Sequence, residues 1–549
     1  MNREKLIPTA VVFLIAAVCW FVPPPEGLCR TSAMEKIAET ASSIAYDAKA
    51  IRVGQVANIL PQFASESAAT IAEGDESVSV EQVQAIAKAS ESWVREDGTI
   101  AADRDEAVAA GRRSWRLFVI FASTIVLILM NTMPIFTASL IALSLAILTG
   151  TLTPVAGYSG FAKDFIILIV VAFTIAIGVA KSGLGSRLAW MIISKFGSSS
   201  LGLGYSLVLT DVLIAPAFPS NTARSGVLFP VVDSVARGRE SPPEEGKRRK
   251  LGAFLAMNSI LGLSLSSALW LTAMAANPAG AEIAGNIAGL EITFATWLQA
   301  SCVPTLAALA IVPVLLYRFF PPELRKTPEA PETARAALKE MGPLSRNEKV
   351  MSGVFLVLVV LWGLSKLLSI NIAAVAIAGL AVLLLTKVVT LNDVRGSNGP
   401  ITFVWFASLF TLSTYLDKYG FMQWVGEAVA GVVSGLSWPA VYVLLVVAYV
   451  LIHYFFVSQT AHMFAVMPIF LTVGIASGVP GGLLAMMLLL ATNFFSPITP
   501  QASSANAIFV GSGYLSMGEI YRYGGLVTLL NLIVYMTVGT AWLMFVTGA

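Results

Sequence analysis

The sequence predicts an all-α polytopic membrane protein. Of its 549 residues, 56% are hydrophobic and 12% are charged, and the mean hydropathy is +0.77, whereas soluble proteins carry about 25% charged residues. Apolar windows long enough to cross a ~30 Å hydrocarbon core recur along the chain. A soluble enzyme or a nucleic-acid-binding protein is therefore a poor match, because so few charges cannot cover a water-facing surface.

About eleven apolar windows, each of roughly 17 to 25 residues, are predicted to be transmembrane helices. They lie near residues 6–22, 115–131, 133–150, 163–180, 251–275, 293–317, 350–368, 371–387, 401–416, 481–498 and 522–546. The first resembles a signal peptide, but it lacks a small-residue cleavage site and is taken as a retained span.

Lys and Arg predict the orientation. They are concentrated in two loops, 237–250 and 318–349, and also occur at Arg3 and Lys5. Counting crossings from a cytoplasmic N-terminus puts both loops in the cytoplasm, in agreement with the positive-inside rule. The C-terminus then lies outside, and we expect an integral protein of the bacterial cytoplasmic (inner) membrane.

Two further apolar stretches, 202–236 and 438–476, are too long for one span and carry a polar break at the centre. Lipid satisfies no backbone N–H or C=O group, so non-helical backbone at membrane depth must be buried in protein or line a polar cavity. We therefore predict two re-entrant hairpins. Each break marks a candidate site.

Five segments follow from these features. Residues 28–113 are polar and rich in Ala and Glu, with helical apolar spacing, and predict a soluble helical insert outside the membrane whose partner, if it has one, is unknown. The predicted segments are a first transmembrane helix (1–27), the insert (28–113), a first transmembrane repeat (114–317), a cytoplasmic linker (318–349) and a second transmembrane repeat (350–549).

An internal repeat relates residues 163–235 to residues 401–473. In each copy a span ends at a Lys, an amphipathic segment follows, and a Ser-x-Thr break comes about 40 residues after that Lys. An odd number of crossings separates the copies, so we predict an inverted-topology repeat. Secondary transporters built this way hold their substrate near the midplane with broken helices.

The breaks contain the candidate substrate-binding residues. Hydroxyl and amide groups beside helix N-termini form an anion site, since they donate hydrogen bonds and the helix dipoles add positive charge. Two such sites suit a dicarboxylate. The hairpins contribute Ser220, Asn221, Thr222, Ser458, Gln459 and Thr460, and two interrupted spans contribute Asn277, Pro278, Thr499, Ser503, Ser504 and Asn506.

Arg224 and His462 occupy equivalent places, two residues after the Thr of each break. A fixed guanidinium at this depth would repel Na⁺ and could neutralise a substrate carboxylate, which predicts sodium-independent exchange. Arg224 could instead snorkel to the interface, and His462 could be a neutral core residue. His453 is interpreted as a packing or gating residue, and Asp211 is not assigned to a relay.

Five motifs give the chain a family resemblance. They are Phe21-Val22-Pro23-Pro24-Pro25-Glu26-Gly27-Leu28, Ser114-Trp115-Arg116-Leu117-Phe118, Pro219 to Arg224, Leu271 to Pro278, and Gly511-Ser512-Gly513-Tyr514. In these motifs the chain resembles the divalent anion:sodium symporter family. It is more similar to the exchanger branch, with its citrate/succinate, tartrate/succinate and 2-oxoglutarate/malate translocators.

The resemblance implies a homodimer with a scaffold domain and a transport domain that moves in an elevator-type cycle. It makes Ser220, Asn221, Thr222, Ser458 and Thr460 substrate contacts. It also implies that the positive charge of Arg224 and His462 replaces sodium. Gln459 departs from the Asn of the commoner motif, and the 500–506 segment departs from the symporter pattern.

Other functions stay open at this point. A sodium- or proton-coupled symporter of dicarboxylate, tricarboxylate or sulfate is the main alternative, and a membrane enzyme acting on a lipid-linked anion is a remote one. No catalytic residue, cofactor or metal is expected, because three scattered Cys and two His provide neither a disulfide framework nor a metal site. Small dicarboxylate anions and the lipid bilayer are the expected partners.

Overall fold

The computed structural model describes residues 3–33, 35–36, 51–52, 77–78, 104–433 and 435–548. These residues are helical over most of their length and divide into two compact units. The first unit is Met1–Ser159 with Ser408–Val432, and the second is Gly160–Ala407 with Val433–Ala549. All candidate site residues lie in the second unit.

The first unit opens with two helices that are bent by 75° relative to each other. Three consecutive prolines, Pro23 to Pro25, separate them, because proline has no N–H to continue a helix. The indole Nε1 of Trp115 donates to the carbonyl oxygen of Cys19 at 2.9 Å. The helices of this unit up to residue 158 are α1 (Arg3–Phe21), α2 (Glu26–Ala33), α3 (Arg104–Leu129), α4 (Ile135–Leu148) and α5 (Pro154–Tyr158).

Most of the predicted insert lies outside the described residues, so its helical character there stays a prediction. Within it, β1 (Ile51–Arg52) and β2 (Ser77–Val78) pair antiparallel. The backbone of these four residues is thus extended where the apolar spacing predicts helix. At its other end the predicted insert overlaps α3, which continues from Arg104 into the predicted span.

The second unit begins within a short 3-10 turn, Ser159–Ala162, and continues with a succession of helices. Up to residue 396 these are α6 (Asp164–Ser182), α7 (Leu184–Phe196), α8 (Ser200–Ile214), α9 (Asn221–Arg237), α10 (Gly252–Leu269), α11 (Ala276–Ala288), α12 (Phe294–Phe319), α13 (Ala330–Glu340), α14 (Arg346–Gly363), α15 (Ser365–Leu368), α16 (Ile372–Leu385) and α17 (Leu391–Gly396). Two further 3-10 turns, Ala215–Ala217 and Leu271–Ala273, interrupt this series.

The remaining helices repeat much of this order. They are α18 (Gly399–Lys418), α19 (Phe421–Val432), α20 (Trp438–Ile452), α21 (Gln459–Ala476), α22 (Gly481–Phe494), α23 (Ser504–Gly511), α24 (Met517–Glu519), α25 (Gly525–Val534) and α26 (Thr540–Thr547). A 3-10 turn, His453–Phe455, follows α20, and π-helical turns at Ile520–Gly524 and Tyr535–Gly539 join the last three helices.

Helix α10 forms the core of the second unit. All of its residues are buried, and it packs against α8, α9, α12 and α22. Its sequence combines apolar residues with Gly, Ser and Asn and contains no charge, which is typical of a helix with protein on every side. The chain that leaves this core helix leads directly to one of the interrupted spans.

The structure confirms a polytopic helical membrane protein, and the exact number of spans stays a prediction. Eight described helices are long and apolar enough to cross a bilayer, nine if the bent pair α1–α2 is one span, while α4, α16 and α22 are shorter apolar helices. The helix in the predicted span 251–275 ends at Leu269, and a 3-10 turn, Leu271–Ala273, follows it. Hairpin arms such as Trp438–Phe455 and Gln459–Ala476 have 18 residues each and are as long as a span.

Candidate functional site

We name six segments of the second unit. Hairpin 1 is α8, its 3-10 turn and α9, and hairpin 2 is α20, its 3-10 turn and α21. Tip 1 is Pro219–Arg224 and tip 2 is Val457–His462. Break 1, residues 270–275, joins α10 to α11, and break 2, residues 495–503, joins α22 to α23.

The two tips have the same backbone conformation. Ser220 has φ −148° and ψ 120°, and Ser458 has φ −149° and ψ 122°. Each is the N-cap of the returning helix, and its Oγ accepts a hydrogen bond of 3.3 Å from the N–H of Ala223 or Ala461. Because Oγ accepts this bond, its own hydrogen is still available to an anion.

The first N–H groups of a helix have no partner within it and carry partial positive charge. In α9 and α21 these groups belong to residues 221–222 and 459–460, directly after the capping serines. The extended conformation of each serine ends the preceding turn and lets the new helix start inside the protein. Each tip therefore combines a hydroxyl, free amides and a helix dipole.

Side chains join the two tips. Asn221 Nδ2 donates to Gln459 Oε1 at 3.4 Å, and Gln459 Nε2 donates to the carbonyl of Thr492 at 2.8 Å. Asn221 is 6% exposed and Gln459 5%. The tips therefore meet in the interior of the second unit.

Each hairpin also packs on the helix that follows the other repeat's break: α9 contacts α23, and α21 contacts α11. The hydroxyl oxygens of Thr222 and Ser504 lie 2.6 Å apart across the first of these contacts. Ser503 caps α23, since its Oγ accepts from the N–H of Ala505 at 3.4 Å. Thr460 is 8% exposed in tip 2.

Asparagine side chains satisfy the backbone at both breaks. Asn277 Nδ2 donates to the carbonyls of Ser267 and Trp270, ten and seven residues earlier, at 2.9 and 3.0 Å. Asn506 Nδ2 donates to the carbonyls of Ser496 and Thr499, again ten and seven residues earlier, at 2.9 and 3.0 Å. These amides thus replace the helical N–H groups lost at each break.

Further residues complete the two breaks. Asn493 Nδ2 donates to Asn277 Oδ1 at 2.8 Å and so links α22 to α11. Pro278 is buried inside α11. Thr499 is fully buried, and its Oγ1 has no hydrogen-bond partner. Burying a hydroxyl without a partner costs free energy. The Thr499 hydroxyl is therefore a group that a bound ligand could satisfy.

Arg224 lies in a closed ion pair. Its side chain is fully buried and its Nη1 lies 3.0 Å from Asp211 Oδ2, with Asp211 only 2% exposed. Its two Nη groups also donate to Ser266 Oγ at 2.6 Å, to Asn221 Oδ1 at 2.6 Å and to Ser267 Oγ. The guanidinium therefore does not snorkel to an interface, and its charge is compensated by Asp211.

Sequence reasoning missed Asp211 as the partner of Arg224. A buried charge needs an opposite charge nearby, and Asp211 lies on the other arm of the same hairpin, 13 residues before Arg224. The antiparallel arms bring the two side chains together. The need of a buried Arg224 for a nearby carboxylate was the signal in the sequence that could have identified Asp211.

His462 has a different environment. Its Nδ1 lies 3.0 Å from Nδ1 of His453, and His453 Nε2 lies 3.1 Å from the carbonyl oxygen of Ala502. Aromatic rings surround it: Tyr449 at 4.4 Å and Phe495 at 5.0 Å between ring centroids. Both histidines are fully buried. His453 therefore contacts a candidate site residue directly.

Comparison with known proteins decides the family. The family described as "Sodium:sulfate symporter transmembrane region" matches residues 109–548. The chain belongs to this family. The match confirms the resemblance to the divalent anion:sodium symporters, and it leaves most of the insert outside the shared region.

Two relatives align with the same share of this chain. "Dicarboxylate transporter 1, chloroplastic" from Spinacia oleracea is 40% identical over 435 residues, which cover 78% of this chain and 76% of that protein. "Inner membrane protein YbhI" from Escherichia coli (strain K12) is 32% identical over 439 residues, which cover 78% of this chain and 91% of that protein.

A solved structure shares the fold of this family member. The Alcanivorax borkumensis YdaH transporter superimposes with a TM-score of 0.52 at 15% identity, over 78% of this chain and 98% of that one. At this identity the likeness concerns the fold alone.

Proposed function

We propose that the chain carries dicarboxylate anions across the bacterial cytoplasmic membrane by sodium-independent exchange. The observation that supports this most is the meeting of two identically built, serine-capped helix N-termini through Asn221 and Gln459. Two positive helix ends side by side suit an anion with two carboxylates. The spinach relative, named a dicarboxylate transporter, supports the same substrate class.

The proposed substrate contacts are the groups that still have hydrogen-bonding capacity. In the tips these are the hydroxyls of Ser220 and Ser458 and the free amides that follow them. Thr222, Thr460, Ser503, Ser504 and Thr499 add hydroxyls around them. Asn277, Pro278 and Asn506 are proposed to shape the site from behind, since the two asparagine amides already hold the backbone of the breaks.

The proposed cycle is the elevator type, in a homodimer with a scaffold and a transport domain, and with the N-terminus in the cytoplasm. Four broken or returning elements converge on the tips, as in transporters whose substrate lies at the midplane between inverted repeats. Arg224 and His462 are proposed to supply the positive charge that a sodium-coupled carrier takes from Na⁺.

A coupled symporter remains a second candidate, and one observation favours it. Asp211 compensates the charge of Arg224, so the guanidinium repels a nearby cation less than an unpaired one would. The substrates of that alternative are dicarboxylates, tricarboxylates or sulfate, with Na⁺ or H⁺ as the coupling ion.

Uptake of labelled succinate or malate into proteoliposomes separates the two candidates. Vesicles are loaded or not with unlabelled dicarboxylate, and each set is assayed with Na⁺, with K⁺ replacing Na⁺, and with an imposed pH gradient. Uptake only into loaded vesicles, equal in Na⁺ and K⁺, is expected. Uptake into empty vesicles that requires Na⁺ or a pH gradient would overturn exchange in favour of symport.

A further inference from the structure

The contact between His453 and His462 restricts where the two rings can hold protons. A carbonyl oxygen only accepts, so the bond from His453 to Ala502 requires a hydrogen on Nε2 of His453. A neutral His453 then has an unprotonated Nδ1, which can accept but not donate. We therefore assign the hydrogen of the Nδ1–Nδ1 contact of 3.0 Å to His462.

This assignment leaves one nitrogen uncommitted. His462 donates through Nδ1, so in its neutral form Nε2 is unprotonated, and Nε2 is buried without a hydrogen-bond partner. A proton can add to this nitrogen, forming one N–H bond, while both existing hydrogen bonds stay intact. A second proton would have to add to Nδ1 of His453 and would break the contact between the rings.

We propose that His453 is a positioning residue: its Nδ1 holds His462 in the Nδ1–H tautomer, so that tip 2 gains or loses positive charge at Nε2 of His462 alone. The effect of this positioning on transport rests on the proposed dicarboxylate exchange. The protonated pair places one positive charge beside the helix N-terminus of tip 2. A dicarboxylate should bind more tightly to that form.

Few other charged groups face this pair. On α20 the titratable residues are Tyr442 and Tyr449, and the hydroxyl of Tyr449 bonds to Thr492 at 2.8 Å. On α11, which packs along α21, Glu282 pairs with Lys163. Helices α21 and α22 contain no titratable residue besides His462.

Across the tip contact, Arg224 is compensated by Asp211. The charge of tip 2 therefore depends mainly on the histidine pair itself.

Nitrogen NMR tests the tautomers without reference to transport. The chain contains two histidines, so ¹⁵N-histidine labelling of the full-length protein in lipid nanodiscs reports on this pair only, and H453N assigns the signals. We expect an Nε2–H tautomer for His453, an Nδ1–H tautomer for His462, and titration of one nitrogen on acidification. Two Nε2–H tautomers, or independent titration of both rings, would overturn the proposal.

Three substitutions at position 453 separate positioning from packing. In H453N the amide oxygen takes the place of Nδ1 as acceptor, in H453Q the amide nitrogen takes the place of Nε2 as donor to Ala502, and H453L offers neither. We expect H453N to keep the His462 tautomer and a near-native KM for succinate. H453Q and H453L should lose the tautomer and raise KM about tenfold with kcat less affected.

The same three variants distinguish the failure modes. Equal KM values and an unchanged His462 tautomer in all three would make His453 a packing residue. If the wild type does not transport dicarboxylate at all, the proposed function fails, but the tautomer measurement still decides the role of His453. In the wild type and in H453N, KM for succinate should also decrease as the pH is lowered. In H453L, KM should not depend on pH in this way.

Discussion

The two hairpins share a backbone design and differ in how they treat a cationic side chain at the equivalent position. In hairpin 1, Arg224 is held by a carboxylate and three side-chain oxygens. In hairpin 2, His462 is held by another histidine and by aromatic rings. Aligning the tips places Tyr449 opposite Asp211. The two repeats thus share the backbone conformation of the tip. The side chains around Arg224 and His462 determine whether the charge at this position is fixed or variable.

Loss of Arg224 should have the largest effect on stability. In R224L the carboxylate of Asp211 remains buried without a counter-ion, which should cost about 3–5 kcal/mol. The double variant D211L/R224L removes both charges and should regain most of that loss. Thermal unfolding of the detergent-solubilised protein measures both.

The double variant also tests the role of Arg224 in transport. A protein that folds but no longer exchanges succinate is expected if the guanidinium contributes to the site. Full exchange by D211L/R224L would make the ion pair a purely structural feature of hairpin 1.

Tyr449 in hairpin 2 should matter much less than Asp211 in hairpin 1. In Y449F the ring still packs on His462, and only the hydroxyl bond to Thr492 is lost, which should cost about 1 kcal/mol. Unfolding and succinate exchange of Y449F, measured beside D211N, give the contrast. A loss in Y449F as large as that in D211N would show that the two positions have equal roles.

The smallest effect is expected at the exposed ion pair between Lys181 at the end of α6 and Asp393 in α17, in which Lys181 is 50% exposed. Hydrogen bonding from Lys181 lowers the pKa of Asp393 from 3.8 to about 2. A lowered pKa stabilises the folded state above the unfolded value, and this contribution disappears as pH falls toward 2. D393N should therefore be slightly less stable than wild type at neutral pH and equal to it near pH 2.

Lys418 offers a matched control in the second repeat. Its Nζ lies 5.1 Å from the centroid of the Tyr415 ring, so this contact is with an aromatic ring. K418M should show no change of its stability difference between pH 5 and pH 2. A difference that varies with pH in K418M but not in D393N would contradict the assignment of these two contacts.

The sequence predicted the class of fold, the tips and the breaks, because apolar windows and polar interruptions are local features. It did not predict that the span near 251–275 ends at Leu269, since a window of hydrophobicity does not show where a helix stops. The Arg224–Asp211 pair and the contact between His453 and His462 were missed, because contacts between arms depend on the turn geometry. Asn277 and Asn506 were assigned to substrate, and only their matched carbonyl contacts reveal the backbone role.

The sequence distances within the site bear on biosynthesis. Thr222 reaches its partner Ser504 across 282 residues, which at about 5–20 residues per second corresponds to roughly 15 to 55 s of translation. Arg224 and Asp211 are separated by only 13 residues and emerge almost together. Newly synthesised hairpin 1 can thus neutralise the charge of Arg224 with its own Asp211 before the second repeat has been translated.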